Sequence, residues 1–255
     1  MNKKIDYYTK LVNEGLSNIY KDGPKSLVIP ISYVLSHPGK RIRPLLTLVV
    51  ADIFSQNDIE EKLKAALAVE ILHNFTLVHD DIMDNDTLRH GQPTVHEKWD
   101  NSTAILSGDA LLSIALKKVS EVSINHSLII SSFINGLIAV CEGQALDKEF
   151  ESANNINKLQ YNRMIELKTG HLLGLSAELG AIIGGANTKD IIIMKEFGLL
   201  VGRAFQIQDD LLEIQSTNEK MGKTLGTDLL LMKKTYVLIE CLEVDRHRTE
   251  SILNL

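Results

Sequence analysis

The distribution of proline is the feature that most constrains the fold of this 255-residue chain. All five prolines lie in the first 93 residues and the rest of the chain contains none, so long uninterrupted helices are permitted there. From Thr103 onward apolar residues recur with a helical period, and no Gly/Ser-rich linker divides the chain. Only the pair Gly108-Asp109 is expected to interrupt the helix from Ala104 to Val122. The sequence therefore predicts one all-α domain over residues 1–255.

Composition and charge narrow the functional classes. The formal net charge of −6 argues against a general nucleic-acid role, so any anion site must be a local basic cluster. The two cysteines, Cys141 and Cys241, are too few for a disulfide scaffold and lack metal-ligand spacing. No run reaches the roughly 18 apolar residues of a membrane span, and no charged and then apolar leader opens the chain. These features predict a cytoplasmic protein with no membrane span.

Four carboxylates fall within seven residues near the middle of the first half of the chain, directly after a strongly apolar run. In a helix, Asp80 and Asp84 would lie one turn apart on one face, where they repel each other unless a cation lies between them. Oxygen-only ligands suit Mg²⁺, which also takes phosphate oxygens of a substrate. His73 lies seven residues before Asp80, on the same stripe. The alternative interpretation is a solvated acidic helix end.

A second acidic cluster begins at Asp209, in a helix predicted over Thr188 to Ile214. Gln206 lies three residues earlier on the same side. Two acidic ends on separate helices can face each other across a bundle and share a metal site. Lys223 and Lys233 follow. Carboxylates for metals, with cations around them, are suited to a polyphosphate leaving group.

Basic residues cluster at two predicted turns. Lys40 and Arg43 lie in the segment 39–44, and Arg89 lies in a segment rich in turn-forming residues. Lysine binds phosphate as a point charge and arginine as a bidentate fork. Each cluster is therefore a candidate phosphate site, with a solvated basic turn as the alternative.

Taken together, these segments resemble the trans-isoprenyl diphosphate synthases, the polyprenyl synthetase family. The resemblance covers nearly the whole chain, with the motifs in one specific order. The segments that carry it are GKRIRP at 39–44, LVHDDIMDND at 77–86, LRHGQPTVH at 88–96, GDALL at 108–112, EGQALD at 142–147, KTG at 168–170, FQIQDDLLEI at 205–214 and GKTLGTDLLLMKKTY at 222–236.

The resemblance implies an isoprenoid synthase fold, an all-α helical bundle around a deep central cavity, usually in a homodimer. It implies a Mg²⁺-dependent condensation of isopentenyl diphosphate with an allylic diphosphate. Asp80 and Asp84 would hold several Mg²⁺ ions from one wall and Asp209 from the other. Because a carbocation would be quenched by water, the cavity has to exclude it, and no side-chain nucleophile is needed.

The resemblance also implies roles for the other motif residues, divided between the two substrates. Arg89, Lys168, Lys223 and Lys233 would neutralise the allylic diphosphate. Lys40, Arg43 and His73 match the positions that hold isopentenyl diphosphate. Thr169 and Gln206 match groups whose oxygens face the developing allylic cation, so Lys168, Thr169 and Gln206 are the residues expected to be catalytic.

Product length rests on two residues upstream of the first acidic motif. Phe75 stands five positions before Asp80 and Thr76 stands four before it, and the motif carries no insertion. In the resembling family this combination is typical of members that make C20, less often C15, products. An ideal helical wheel places Phe75 well off the Asp80 stripe, so plain core packing is the alternative for Phe75.

Three departures from the family pattern stand out. His90 occupies a position that is normally a second arginine, which predicts weaker or pH-dependent isopentenyl diphosphate binding. Glu213 replaces an aspartate in the second cluster, where we expect tolerance. The chain also stops at Leu255, about two helices short of the family's usual end.

Two further hypotheses remain open at the level of sequence. An inactive or regulatory subunit of a heteromeric synthase is favoured by the early end and by His90. A class I terpene cyclase would share the first acidic motif, but it would not need Lys40, Arg43 and His73. The leading interpretation is a geranylgeranyl or farnesyl diphosphate synthase.

Overall fold

The computed structural model of the protein describes residues 2–37, 39–55, 58–153, 155–215 and 235–253. The described chain is a helical bundle with one two-stranded antiparallel hairpin. The helices are α1 (Asn2–Ser17), α2 (Lys25–Ser36), α3 (Ile42–Phe54), α4 (Ile59–Asp84), α5 (Val95–Lys98), α6 (Asn101–Ser120), α7 (His126–Ser152), α8 (Lys158–Ile165), a π-helix (Glu166–Gly170), α9 (His171–Ile183), α10 (Thr188–Gln215), α11 (Tyr236–Val244) and α12 (Arg246–Leu253). The strands are β1 (Leu88–Arg89) and β2 (Gln92–Pro93).

Helix α9 is the centre of the bundle. Every residue from Leu172 to Ile183 is buried, as expected of a helix that is apolar all round. Close approach to its neighbours depends on glycine, because a Cβ at Gly180 would lie 2.5 Å from the carbonyl oxygen of Thr47 in α3. Helices α9 and α4 together form the core of the bundle, and the polar ends of the neighbouring helices are not part of it.

Two local predictions of helix boundaries are wrong. Helix α6 runs unbroken through Gly108-Asp109. Gly108 serves close packing there and not a helix break, since a Cβ at this position would lie 2.1 Å from His79 Nε2. The first helix is predicted over residues 1–22 from its apolar period and the Asp22-Gly23-Pro24 turn, but it ends at Ser17. The turn segment around Arg89 closes as the β-hairpin, with Leu88 opposite Pro93.

Helix α7 passes the length and composition test for a membrane span, with a mean hydropathy of 1.4 over its most apolar window. It packs against α9 and the π-helix, and 39% of that window is buried in the protein. A core helix meets the same criteria.

Two clefts lie at the surface of the protein. One, of about 480 Å³, lies along α7, and the other, of about 500 Å³, lies between α1 and α2. The central cavity implied by the resemblance stays a prediction.

Candidate active site

The first acidic motif occupies the C-terminal end of α4. The helix begins after Asp58, whose side chain accepts a hydrogen bond from the Glu60 backbone N–H. It ends after Asp84, where Asn85 adopts the left-handed conformation with φ 54°, one that asparagine tolerates well. The predicted helix is therefore confirmed, and Asp80 and Asp84 lie one turn apart on its last turns.

A π-helical turn places Lys168 and Thr169 between α7 and α10. Two glycines allow the close approach: a Cβ at Gly143 would lie 2.2 Å from the Lys168 backbone nitrogen, and one at Gly202 would lie 2.5 Å from the Gly170 Cα. π-Turns inside helices are rare and are common at functional sites. The turn therefore holds both side chains against the two helices that carry polar motifs.

Lys168 faces the acidic end of α4. Its ammonium forms an ion pair of 2.5 Å with Asp147 Oδ2 from α7. Burial alone would lower the pKa of Lys168, but the charges of Asp147 and Asp80 outweigh burial and raise it. The lysine is thus charged at neutral pH, and its ammonium can attract a second anion to this end of α4.

Asp84 is paired with a residue that the sequence motifs do not single out. Lys148 Nζ lies 2.9 Å from Asp84 Oδ1 and 2.8 Å from Glu151 Oε1. Asp147 and Lys148 were both visible in the sequence, four and five residues after Gly143. Gly143 is the glycine of α7 that packs against the π-turn. A position about one helical turn after it was the available signal that these two residues lie at the site.

Burial makes the carboxylates of this motif costly to ionise. Desolvation raises the pKa of Asp80 to about 6, with Asp84 adding to the rise and Lys168 opposing it. Desolvation likewise raises the pKa of Asp81 to about 6 although Arg89 opposes it. Arg89 donates from Nε to Asp81 Oδ1 at 2.6 Å and pairs with Asp86 at 3.1 Å, so its guanidinium is anchored at the motif.

A chain of hydrogen bonds orients the groups opposite. Thr169 Oγ1 donates to Gln206 Oε1 at 2.8 Å, and Gln206 Nε2 donates to Asp210 Oδ1 at 3.1 Å. Because a carboxylate can only accept, the amide nitrogen must face Asp210 and the amide oxygen must face Thr169. Asp210 also accepts from the Tyr161 hydroxyl and, at 2.9 Å, from the Tyr236 backbone N–H.

Asp210 therefore has a structural role that the sequence pattern concealed. It joins α8, α10 and the start of α11, beside a small apolar cluster that includes Ile165 and Ile239. Its neighbour Asp209 is half-buried and close enough to Arg43 to affect the pKa of that guanidinium. Because the contacts of Asp210 are structural, Asp209 is the metal-ligand candidate of the two adjacent aspartates.

A second basic site lies at the start of α3. Arg43 Nη1 donates to His73 Nε2 at 3.1 Å, while Arg43 Nε is buried and has no hydrogen-bond partner among the residues that the structure describes. Burial, together with the charge of Arg43, lowers the pKa of His73 well below 6.5. The ring is therefore neutral and accepts from the guanidinium. An unpartnered donor on a buried cation is costly, which suits a site that an anion completes.

The other two cations of that basic turn differ from each other. Arg41 is buried and its guanidinium is fully engaged by Asn13, Glu70 and the carbonyl oxygens of Leu35 and His37. It is a structural residue. Lys40 is exposed and projects from the chain just before α3, so it stays a candidate for phosphate binding.

The two candidate chain-length residues lie on different faces of α4. Phe75 is buried in the main core and its ring packs edge-on against His79 at 4.8 Å. Thr76 is half-buried, lies on the Asp80 stripe, and donates to the His73 carbonyl oxygen at 2.8 Å. Phe75 thus lies off the Asp80 stripe, as the helical wheel predicts, whereas Thr76 lies on that stripe one turn before Asp80.

Asp80, Asp84 and Asp209 are the candidate metal ligands. Within the part of the chain that the structure describes, no three His, Cys, Asp or Glu side chains are already grouped to hold a metal. Asp80 and Asp84 fit a site completed by phosphate oxygens, because Mg²⁺ typically takes one or two carboxylates plus substrate phosphates. Lys223 and Lys233 lie outside the described residues, as does any placement of the segment between them.

The family model described as polyprenyl synthetase matches residues 24–255. The chain belongs to the polyprenyl synthetase family. The predicted family and the all-α fold are thereby confirmed.

Comparisons within the polyprenyl synthetase family agree with this assignment. A short chain isoprenyl diphosphate synthase from Methanocaldococcus jannaschii is 40% identical over 239 residues, covering 92% of this chain and 72% of the relative. The crystal structure of a geranylgeranyl pyrophosphate synthase superimposes with a TM-score of 0.92 at 36% identity, covering 100% of this chain and 78% of that one. A geranyltransferase from Helicobacter pylori, crystallised with magnesium and isoprenyl diphosphate, gives a TM-score of 0.79 at 28% identity, covering 98% and 88% of the two chains.

These matches confirm the predicted class of enzyme, a prenyltransferase of the short-chain prenyl synthase type. The roles of the individual site residues stay predictions.

Proposed function

We propose that this protein condenses isopentenyl diphosphate with allylic diphosphates in a Mg²⁺-dependent reaction, chiefly to geranylgeranyl diphosphate (C20) and next to farnesyl diphosphate (C15). The observation that carries the proposal is the meeting of opposite charges at the end of α4. There the Asp80–Asp84 face is opposed by Lys168 from the π-turn. A solvated acidic helix end, the alternative raised by the sequence, would not be buried and would not be matched by cations from other helices.

Mg²⁺ would be held by Asp80 and Asp84 from α4 and by Asp209 from α10. The donor set is oxygen only, which suits this ion, and the Helicobacter pylori relative crystallised with magnesium supports the choice. When bound, Mg²⁺ stabilises the charge that develops on the leaving diphosphate. Several ions per site follow from the family resemblance.

Binding and activation of the allylic diphosphate would fall to cations around that face. Lys168 is charged and half-buried beside it, and Arg89 is anchored there by Asp81. Their positive charge acts most strongly as the C–O bond breaks, because the diphosphate then gains negative charge. Lys223 and Lys233 would complete this set.

The allylic cation would be stabilised by oriented oxygens. Because Asp210 fixes the amide of Gln206, its oxygen and the hydroxyl of Thr169 form one preorganised pair. The isopentenyl double bond then attacks C1, and one proton leaves with the departing diphosphate as its acceptor.

Isopentenyl diphosphate would be held by Arg43 and Lys40 beside neutral His73. The unpartnered Nε of Arg43 offers a donor that is already buried, so a phosphate oxygen would satisfy it at little extra desolvation cost. Phe75 and Thr76 are proposed to limit chain growth, with Thr76 directly below Asp80 on the helix.

A homodimer is part of the proposal. Exposed apolar side chains on α6 and α7 support it, because such surfaces often mark protein contacts: Ile105, Leu106, Leu128, Ile134 and Ile138. Light scattering coupled to size exclusion would test it. Leu106→Glu should give a monomer, whereas Leu159→Glu, at a still more exposed site on α8, should not.

The test of the reaction is a chain-length assay. Purified protein with Mg²⁺, labelled isopentenyl diphosphate and C5, C10 or C15 primers should yield mainly C20 product. Asp80→Ala and Asp209→Ala should lower turnover by several orders of magnitude, because each removes a ligand that acts in the transition state. Asp6→Ala, at an exposed position on α1, is the matched control. Near-normal activity in either site variant would exclude the shared metal site.

A further inference from the structure

Lys148 is a charged side chain at the site for which the proposed reaction has no use. Its ammonium lies 2.9 Å from Asp84 Oδ1 and 2.8 Å from Glu151 Oε1. The Asp84 side chain is 12% exposed and that of Lys148 is 30% exposed, so the contact is formed at the edge of the buried site. Burial lowers the pKa of Lys148, but Glu151 and Asp84 outweigh it and raise that pKa, which keeps the ammonium charged.

Its neighbour in sequence makes the matching contact. Asp147 pairs with Lys168 on the π-turn, and Lys148 pairs with Asp84 on α4. Two consecutive residues of α7 thus supply one anion and one cation to the two elements that face each other. In the protein without metal, this arrangement offsets repulsion between Asp80 and Asp84.

We propose that Lys148 is a resident counter-ion of Asp84, which Mg²⁺ has to displace, and that it thereby raises the Mg²⁺ concentration the protein requires. The inference rests on the proposed function, since it takes Asp84 to be a metal ligand. Mg²⁺ binds carboxylate oxygen at about 2.0–2.1 Å, so an ammonium on the same oxygen competes both for the lone pair and by like charge.

Glu151 gives the displaced ammonium a place to go. It lies three residues after Lys148 on the same helix and already accepts from it, so a small rotation keeps this ion pair while it breaks the one between Lys148 and Asp84. The half-buried lysine can place its ammonium in water during that exchange. Lys148 is therefore a positioning residue for Asp84, not a group that touches substrate.

The direct test is metal binding without any substrate. Mn²⁺ would be titrated into the full chain in low salt, and the free ion followed by electron paramagnetic resonance, with Mg²⁺ as competitor. We expect Lys148→Gln to bind the ion about threefold to tenfold more tightly, the range for losing one partly exposed ion pair and one like charge. Lys148→Arg, which keeps the charge, should stay within about twofold of the natural protein.

Lys118→Gln is the matched control. Lys118 forms an i, i+3 pair with Glu121 on α6, so the substitution makes the same change of net charge and removes a similar pair on another helix. We expect no change in metal affinity for this variant. A general effect of net charge would tighten binding equally in both glutamine variants and would overturn the proposal.

Asp84→Asn separates this inference from the proposed function. If Asp84→Asn weakens binding while Lys148→Gln leaves it unchanged or weaker, the metal site stands and the counter-ion role is refuted. If Asp84→Asn binds the ion as the natural protein does, the metal site itself is wrong. Tighter binding in Lys148→Gln together with weaker binding in Asp84→Asn would support both.

Discussion

Asp80→Asn should stabilise the metal-free protein while it abolishes the activity. Burial raises the pKa of Asp80 from 3.8 to about 6, so ionising this carboxylate costs the folded state free energy. A difference of about two pKa units corresponds to about 3 kcal/mol at most. Lys168 loses part of its electrostatic support in the variant, so we expect a net gain of about 1–2 kcal/mol.

The pH dependence has a definite sign. Since the pKa of Asp80 is higher in the folded than in the unfolded protein, its contribution to stability falls as the pH rises from about 4 to about 6 and stays low above that. The advantage of Asp80→Asn should therefore be largest at pH 8 and about half as large at pH 5. At pH 5 most folded molecules carry a protonated Asp80, which is uncharged like asparagine.

Urea-induced unfolding in EDTA, followed by circular dichroism at both pH values, measures this advantage. In thermal unfolding at pH 8, the melting temperature of the variant should be about 2–8 °C higher for a protein of this size. Asp6→Asn at an exposed site on α1 should change the free energy of unfolding by less than about 0.5 kcal/mol. Added Mg²⁺ should stabilise the natural protein more than Asp80→Asn. An equally or less stable Asp80→Asn variant at pH 8 in EDTA would refute the argument that this carboxylate is costly.

Three further predictions concern substrate binding and product length. Lys40→Ala and Arg43→Ala should each raise the KM for isopentenyl diphosphate by about one to two decades, since a charge-assisted hydrogen bond contributes about 1.5–3 kcal/mol; a larger rise for the allylic primer would mean that the two sites are exchanged. Burial and the adjacent arginine lower the pKa of His90, and a bound diphosphate would raise it, so isopentenyl diphosphate should bind more tightly at pH 6 than at pH 8, whereas a calorimetric pH series on His90→Arg should be flatter. Phe75→Ala should lengthen the product by at least one C5 unit, at a cost of about 3–5 kcal/mol in stability, and Thr76→Phe should stop growth near C15; unchanged product chromatograms for both would place the floor elsewhere.

Much of the site could be predicted from the sequence because its candidate residues are spaced about one helical turn apart within single helices. The spacing of Asp80 and Asp84, with helical periodicity before them, was enough to place both carboxylates on one face of α4. The position of Gln206 one turn before Asp209 followed from the same period. Local patterns of this kind survive folding because they depend on one helix alone.

What the sequence could not give depends on contacts between helices. The ion pair between Lys148 and Asp84 joins residues 64 positions apart, and nothing in either segment specifies the other. The π-turn at Lys168 has an ordinary helical sequence, and it becomes visible only through the close approach of Gly143. Asp210 was grouped with Asp209 by composition, although two donors from other segments, the Tyr161 hydroxyl and the Tyr236 backbone N–H, engage it.

Both acidic motifs are placed where local physics disfavours them. Asp80, Asp81 and Asp84 occupy the last two turns of α4, and Asp209 and Asp210 occupy the last two turns of α10. The C-terminal end of a helix carries partial negative charge, which makes a carboxylate in the last turn, such as Asp84, less favourable by about 0.3–1 kcal/mol. Neighbouring carboxylates add repulsion in both motifs. A sequence selected for stability alone would place lysine or arginine at these positions. The chain instead recruits its cations from other elements, Lys148 from α7, Lys168 from the π-turn and Arg89 from the hairpin, so the charges are balanced only in the folded protein. Local rules broken at both helix ends, and compensated only through tertiary contacts, are the pattern expected where a site is built for a divalent cation and a diphosphate.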